Sequence, residues 1–142
     1  WHTLSLHDAL PISVVSFWAS WCGPCRMEMP GLQEMYEDYK EQGATVLAIN
    51  MGEEQATAAG FIEAEGYTMP VALDRTGTTA QKYNVSGIPR LFIIGPDGTI
   101  LHDQKGYRRG QEAEIREIIE EHLPGAEAAP AAAEPAASNA SR

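Results

Sequence analysis

Two cysteines, Cys22 and Cys25, are the residues of this sequence whose types and spacing point most directly to a reaction. They are separated by Gly23 and Pro24, and the sequence contains no other cysteine. A Cys-x-x-Cys motif beside a strand and a helix is typical of redox proteins. The motif therefore predicts that the two sulfurs alternate between a dithiol and a disulfide.

The residues on either side of the motif predict how the two sulfurs differ. Residues 14–18 form a short apolar run typical of a buried strand, and an amphipathic helical pattern follows the motif. A helix that begins at Cys22 or just after it would lower the pKa of that thiol, because free backbone N–H groups and the helix dipole stabilise a thiolate. Pro24 suits a first helical turn. We therefore expect Cys22 to be the exposed attacking thiol and Cys25 to be the shielded thiol that resolves the mixed disulfide.

Two other roles for the cysteine pair stay open at this point. One is a purely structural disulfide, although a loop of four residues would stabilise the fold very little. The other is half of a zinc site, although such a site needs about four ligands and the remaining histidines are scattered singly.

The run F-W-A-S-W-C-G-P-C at residues 17–25, together with Ile88-Pro89, resembles the thioredoxin superfamily. Within it, residues 14–123 are most similar to the membrane-anchored, extracytoplasmic thiol–disulfide oxidoreductases of the TlpA/ResA type. The resemblance implies an α/β fold of the thioredoxin-like class, with a central mixed β-sheet of about five strands flanked by helices.

A central insertion separates this branch from thioredoxin proper. Residues 53–67 have a modest apolar face that predicts a helix, and residues 71–73 predict a short strand. A minimal thioredoxin lacks both elements. The phrases A-I-N-M-G-E-E and M-P-V-A-L-D also resemble the TlpA/ResA-type proteins.

The remaining periodicity predicts alternating helices and strands. The helix after the cysteines is expected to end near Glu41 and to be kinked at Pro30. The other predicted elements are strands at residues 44–50, 90–94 and 99–104 and helices at residues 78–83 and 111–122.

Composition excludes several classes of function. The net charge of −10 argues against nucleic acid as a partner, because no basic surface could neutralise phosphates. Two cysteines are too few for a disulfide framework. No run of about 18 apolar residues occurs, so no segment of the sequence is expected to span a membrane.

The sequence divides into three parts. Residues 1–12 resemble a translated sequencing adapter, and we treat them as an artefactual leader that is excluded from the fold. Any native signal peptide or anchor would precede residue 13. Residues 13–123 form the thioredoxin-like domain. Residues 124–142 consist mainly of Ala, Pro, Glu and Ser and are expected to be disordered.

The resemblance also assigns roles outside the cysteine motif. It implies that the Ile88-Pro89 bond is cis and that the Ile88 backbone can pair, as a strand edge would, with a client protein whose disulfide is reduced. The alternative is an ordinary trans proline at the start of an edge strand. Glu28 could take the proton of Cys25, or it could be a solvated helix residue. The expected catalytic residues are Cys22, Cys25, Pro89 and Glu28, and the expected client-binding residues are Trp21, Gly23, Pro24, Ile88 and Arg90.

Two positions depart from the family pattern. Ser16 stands where thioredoxin proper has a buried aspartate that accepts a proton, which leaves Glu28 or water for that task. Arg90 follows Pro89 where threonine is common. Its guanidinium could lower the thiolate pKa and favour acidic clients if it points toward the sulfurs, or it could point to solvent.

These observations predict a protein thiol–disulfide oxidoreductase that acts as a reductase without a bound cofactor or metal. The expected partners are client proteins with disulfides and an upstream electron donor, which in this branch is a membrane protein. The resemblance also implies a monomer, an extracytoplasmic location and a role in cytochrome c maturation or in the reduction of exported proteins. The alternatives are a cytosolic general thioredoxin, a redox-inactive binding or chaperone module and a peroxidase of related fold, which usually has threonine where this chain has Ala19.

Overall fold

Five strands and four helices follow one another along residues 11–124, the part of the chain that the computed structural model describes. The strands are β1 (Ile12–Trp18), β2 (Ala44–Met51), β3 (Val71–Asp74), β4 (Arg90–Ile94) and β5 (Ile100–Lys105). The helices are α1 (Gly23–Tyr39), α2 (Gln55–Glu65), α3 (Thr78–Lys82) and α4 (Gln111–His122).

The strands form one mixed sheet in the order β3-β2-β1-β4-β5, which confirms the predicted fold class. β1 pairs in parallel with β2 and antiparallel with β4, so it occupies the centre of the sheet. In the second pairing Phe17 lies opposite Arg90. The end of β1 that leads to the cysteines and the start of β4, which follows Pro89, therefore meet at the same edge of the sheet.

Alternating side chains of the central strands divide the core between the two faces of the sheet. Ile12, Val14 and Trp18 of β1 belong to the cluster that packs against α1 and α4. Val15 and Phe17 belong to the second cluster, which packs against α3. Because β1 is buried on both faces, the end of this strand gives the cysteine motif a rigid origin.

The long helix α1 begins one residue after Cys22 and continues through Pro30 to Tyr39. Its buried residues include Met29, Leu32 and Met35, which follow the predicted apolar stripe. The helix ends two residues before the predicted Glu41. Its other end carries the cysteine motif, so packing of the apolar stripe on the sheet also fixes the position of the sulfurs.

The central insertion is present as α2 and β3. The helix is shorter than predicted and covers residues 55–65 rather than residues 53–67, and the strand extends to Asp74. Phe61 of α2 packs on Trp18, with ring centroids 5.4 Å apart. The insertion therefore lies on the same face of the sheet as α1.

The first strand begins one residue before the predicted start of the domain. Ile12, which we assigned to the leader, is fully buried and pairs with Ala44 as the first residue of β1. Residues 1–10 and 125–142 lie outside the described residues, so the artefactual leader and the disordered tail stay predictions. Within residues 11–124, no helix has the length and apolar character needed to cross a bilayer.

The packing of α4 generates a test of the fold. Ile119 is 1% exposed in the core, whereas Ile100 on β5 is 51% exposed. We expect Ile119→Ala to lower the free energy of unfolding by about 2–5 kcal/mol, because it leaves a cavity. Ile100→Ala should cost less than about 1 kcal/mol. Urea denaturation of both variants measures the difference, and equal losses would contradict this placement of α4.

Candidate functional site

The sulfur of Cys22 caps the N-terminus of α1. Cys22 has extended backbone angles, φ −91° and ψ 110°, and its Sγ accepts a hydrogen bond from the Cys25 backbone N–H at 3.2 Å. Pro24 lies in the first turn of the helix. The predicted contact between this sulfur and the free N–H groups of the helix is therefore present, and the same contact would stabilise a thiolate.

Cys22 and Cys25 are joined by a disulfide, with their Cα atoms 5.2 Å apart. Cys25 is fully buried and Cys22 is 4% exposed. The expectation that Cys22 is exposed therefore holds only relative to Cys25, since both residues are buried in the disulfide form. The small accessible surface belongs to Cys22, as the attacking role requires.

The loop before β4 lies at the same sheet edge as the cysteine motif. The Ile88–Pro89 peptide bond is cis, as the resemblance implies. The Pro89 carbonyl accepts a hydrogen bond from Gly106 N–H at 2.8 Å, which ties the loop to the end of β5. Residues 86–90 together with Lys105 and Gly106 line a hollow of about 220 Å³. The structure thus gathers Ile88, Pro89 and Arg90 around one surface depression.

Exposed residues flank the two cysteines along the chain. Trp21, which was expected to bind clients, lies immediately before Cys22 and is 70% exposed. Gly23 is exposed, and a side chain added there would meet no atom within 4 Å. Met27 is 55% exposed on the first turns of α1, and we did not predict it as a site residue. Its place outside the buried stripe of α1 was the only sequence signal for it.

The carboxylate of Glu28 is buried in the layer between α1 and the sheet. The residue is 1% exposed, which excludes the solvated helix glutamate. Ser16 Oγ donates to Glu28 Oε1 at 2.6 Å, and Gln111 Nε2 donates to Glu28 Oε2 at 2.8 Å. Burial raises the pKa of Glu28, the two hydrogen bonds lower it in part, and the charge of Glu112 raises it again. Glu28 is therefore a carboxyl group that can exchange a proton nearer to neutral pH than an ordinary glutamate.

Two partners of Glu28 have roles that the sequence did not reveal. Ser16 appeared only as the residue that replaces a buried aspartate, yet its hydroxyl binds the carboxylate. Gln111 lies 83 residues after Glu28 at the start of α4, and it was predicted only as the first residue of a helix. A glutamine at a helix start is an ordinary feature of a sequence, and only the structure shows that this one is buried.

The guanidinium of Arg90 is held by Asp103 and is nearly buried, so neither orientation that the sequence left open, toward the sulfurs or into solvent, is present. It makes two hydrogen bonds to the Asp103 carboxylate, at 2.7 and 2.9 Å, and a third to the Asn84 carbonyl at 3.2 Å. It also lies 4.9 Å from the ring centroid of Phe92, on the α3 side of the sheet. Strand alternation explains this, because Arg90 and Phe92 are two residues apart and share a face.

Glu53 holds the loop that precedes the cysteines. Its carboxylate accepts hydrogen bonds from the Ser20 N–H at 2.9 Å, the Ser20 hydroxyl at 2.6 Å and the Asn50 side-chain amide at 2.7 Å. Burial alone would raise the pKa of Glu53, but the hydrogen bonds from Asn50 and Ser20 outweigh it and lower the pKa. In the sequence Glu53 appeared only within a run that resembles the family, because Ser20, the partner that links it to the loop before the cysteines, lies 33 residues away.

We also searched the described part of the chain for a second cavity and for a metal site. A cleft of about 790 Å³ lies between α2 and β3, and no predicted site residue lines it. Within residues 11–124, no group of three or more His, Cys, Asp or Glu side chains is arranged to hold a metal ion.

Comparison with known proteins supports the same family. A family model described as the AhpC/TSA family matches residues 1–103. The chain is 37% identical over 109 residues to the thiol-disulfide oxidoreductase ResA of Geobacillus kaustophilus, an alignment that covers 77% of this chain and 59% of the relative. The chain spans about half to three fifths of the length of the curated relatives it matches.

Two solved structures are similar to this chain in fold and in sequence. The chain is similar to a Chlorobium tepidum protein assigned as a thiol:disulfide interchange protein DsbE, with a TM-score of 0.73 and 32% identity over 78% of this chain and 79% of that chain. It is also similar to StoA of Bacillus subtilis, with a TM-score of 0.69 and 25% identity over 81% of this chain and 87% of that chain.

The Glu53 contacts generate a prediction for the loop. Glu53→Ala leaves the fully buried Asn50 amide without its acceptor, so we expect the free energy of unfolding at neutral pH to fall by about 1–3 kcal/mol. Glu54→Ala is the matched control, because that side chain is exposed and pairs only with the exposed Arg75. The control should change stability by less than about 0.5 kcal/mol.

The same pair of variants should differ in pH dependence. Because the folded-state pKa of Glu53 is lowered, its contribution is complete above the unfolded-state pKa and is lost as the pH falls through the folded-state pKa. The stability difference between the native chain and Glu53→Ala should therefore shrink in acid. Urea denaturation at neutral and acidic pH measures it, and a constant difference would contradict the proposed contacts.

Proposed function

Because the chain belongs to the AhpC/TSA family, we propose that it is a thiol–disulfide oxidoreductase that reduces disulfides in client proteins. The observation that carries the proposal is the Cys22–Cys25 disulfide, which lies at the N-terminus of α1 and at the same sheet edge as the cis Pro89 loop. Similarity to ResA, a thiol-disulfide oxidoreductase, and to the DsbE-type thiol:disulfide interchange protein supports this proposal.

The reduced protein transfers two electrons to the client through two exchange steps. The Cys22 thiolate attacks one sulfur of the client disulfide, the client S–S bond breaks, and the second client sulfur leaves as a thiolate that takes a proton. Cys25 then attacks Cys22, the mixed disulfide breaks, and the client leaves fully reduced. The chain ends as the Cys22–Cys25 disulfide that the structure contains.

Glu28 accepts the proton that Cys25 loses in the second step. It lies three residues after Cys25 on α1, and both residues are buried. A thiol inside the protein cannot give its proton directly to bulk water, so a buried base assists its attack. Because burial raises the pKa of Glu28, this carboxylate is a stronger base than a solvated glutamate.

The client binds to the exposed surface next to the disulfide, which is formed by Trp21, Gly23, Pro24 and the loop at Ile88. Trp21 offers an exposed apolar surface, and Gly23 and Pro24 leave the approach to Cys22 open. The Ile88 backbone, held beside the sheet edge by the cis Pro89 loop, pairs with an extended client segment as an added strand would. Arg90 lines the hollow beside this loop and in that way helps to shape the surface that the client contacts. Its guanidinium does not bind the client, because it is paired with Asp103.

Reducing equivalents come from an upstream protein donor, which we place in the membrane, and the chain works outside the cytoplasm as a monomer. Resemblance to the TlpA/ResA-type proteins supports this location and a role in cytochrome c maturation or in the reduction of exported proteins. The insertion formed by α2 and β3 argues against a general cytosolic thioredoxin. Ala19, which offers no hydroxyl three residues before Cys22, argues against a peroxidase.

Trapping of a client intermediate tests the order of attack. Cys25→Ser should accumulate a mixed disulfide with a synthetic peptide that carries one disulfide, because Cys22 can attack but nothing releases the product. Cys22→Ser should form no adduct, since Cys25 is fully buried. Mass spectrometry of the quenched mixtures measures both. An adduct on Cys22→Ser alone would reverse the assigned roles. A Cys22→Ser protein that forms no adduct but keeps full biological activity would instead indicate a binding or chaperone module.

The reduction potential of the cysteine pair tests the direction of the reaction. We expect a value more negative than about −220 mV, because Gly23-Pro24 matches the dipeptide of thioredoxin, whose potential is about −270 mV. Equilibrium titration against a dithiol redox buffer measures it. A value near −120 mV would make the protein an oxidant and would overturn the reductase assignment.

A further inference from the structure

We propose that Gln111 is the positioning residue that sets the protonation of Glu28, and that it directs the transferred proton to the Glu28 oxygen that faces Ser16. This inference deepens the proposed function and rests on Glu28 as the proton acceptor. The observation behind it is a continuous line of hydrogen bonds that runs from the surface residue Arg108 through Gln104 and Gln111 to Glu28, and that is buried from Gln104 inward.

The side-chain amide of Gln111 is held in one orientation. Its Oε1 accepts hydrogen bonds from the Gln104 side-chain amide and from the Arg108 backbone N–H, the latter at 2.9 Å. Rotation of the amide by half a turn would place its NH₂ group against these two donors and its oxygen against the Glu28 carboxylate. Gln111 can therefore only donate to Glu28.

Gln104 is fixed in turn by groups at the outer end of the line. Its Nε2 also donates to the Gly106 carbonyl at 3.2 Å, and its Oε1 accepts from the Arg108 guanidinium at 3.1 Å. A guanidinium has donors and no acceptor. Every hydrogen bond in the line consequently points inward, from the cation at the surface toward the buried carboxylate.

Ser16 differs from Gln111 because a hydroxyl can donate or accept. When Glu28 is ionised, the Ser16 hydroxyl donates to Oε1, as the structure has it. When Glu28 is protonated, the same hydroxyl can rotate and accept from the acid. Oε2 has no such option, because it faces the fixed Gln111 donor. The acid proton therefore lies on Oε1.

The charged groups around this line come from three elements. Glu112 of α4 lies against Gly31 of α1 and acts on Glu28 by repulsion. Arg108, just before α4, pairs with Glu114 at 2.8 Å. His102 of β5 lies 3.3 Å from Gln104 Oε1. From β1 the side chain that meets Glu28 is the uncharged Ser16.

Loss of the two partners should have unequal effects on Glu28. Gln111→Leu removes a hydrogen bond that is stronger to the charged carboxylate than to the carbonyl oxygen of the protonated acid, so the pKa of Glu28 should rise by about one unit, a tenfold change in its protonation constant. Ser16→Ala removes a partner of both protonation forms, and the two losses offset each other. Its shift should be less than about half a unit.

Carboxyl carbon NMR of the oxidised full chain, labelled in its glutamates, measures the pKa of Glu28 directly, and Glu28→Gln identifies the signal. Gln81→Leu, an exposed residue of α3 on the opposite face, is the matched control and should leave the pKa unchanged. If Gln111→Leu does not fold, Gln104→Met tests the same idea. It releases the Gln111 amide, and it should raise the pKa of Glu28 by a smaller amount in the same direction.

The possible results separate this inference from the proposed function. A larger rise for Gln111→Leu than for Ser16→Ala supports the locked amide, whereas equal shifts, or a larger shift for Ser16→Ala, would overturn it. The pH profile of client release by Cys25 is measured in parallel on the reduced protein. If Glu28→Gln leaves that profile unchanged, the catalytic role of Glu28 is wrong, even where the pattern of pKa shifts is as expected.

Discussion

The geometry of the cysteine site centres on one contact, the hydrogen bond from the Cys25 backbone N–H to the sulfur of Cys22. The first turn of any helix leaves N–H groups that need an acceptor, and here a reactive sulfur takes that place. β1 lies at the centre of the sheet, and α1 is anchored by its buried stripe. The end of the strand and the start of the helix therefore cannot move apart, and the sulfur keeps its partner without support from a deep pocket.

A second constraint is the burial of an ionisable group in an otherwise apolar layer. Glu28 lies on the same side of the sheet as Met29 and Leu32, where an unpaired carboxylate would be costly. Ser16 from β1 and Gln111 from α4 supply the hydrogen bonds that make this position tolerable. Two elements that are remote along the chain thus meet at one side chain of the redox helix. Such an arrangement has little purpose in stability alone, and it suits a group whose proton is needed beside a buried thiol.

The same sheet edge supplies the surface that a client would contact. β4 begins directly after the cis Pro89 loop and lies antiparallel to β1, so the loop and the cysteine motif are brought together by strand pairing rather than by their own flexibility. Glu53 fixes the segment before Cys22 from a third direction, through Ser20. A rigid rim of this kind fits reactions at exposed disulfides, because the shape that the client meets is already formed.

The sequence by itself determined the α/β fold class, the cysteine pair at a strand–helix junction and the exact span of α4, because periodicity and spacing are local properties. Only the tertiary structure decided that Glu28 is buried between Ser16 and Gln111, that Arg90 binds Asp103 and that Glu53 holds Ser20. These partners lie 12 to 83 residues from the residues they contact. Contacts of that separation follow from which strands pair and which faces pack, and no local pattern of residues specifies them.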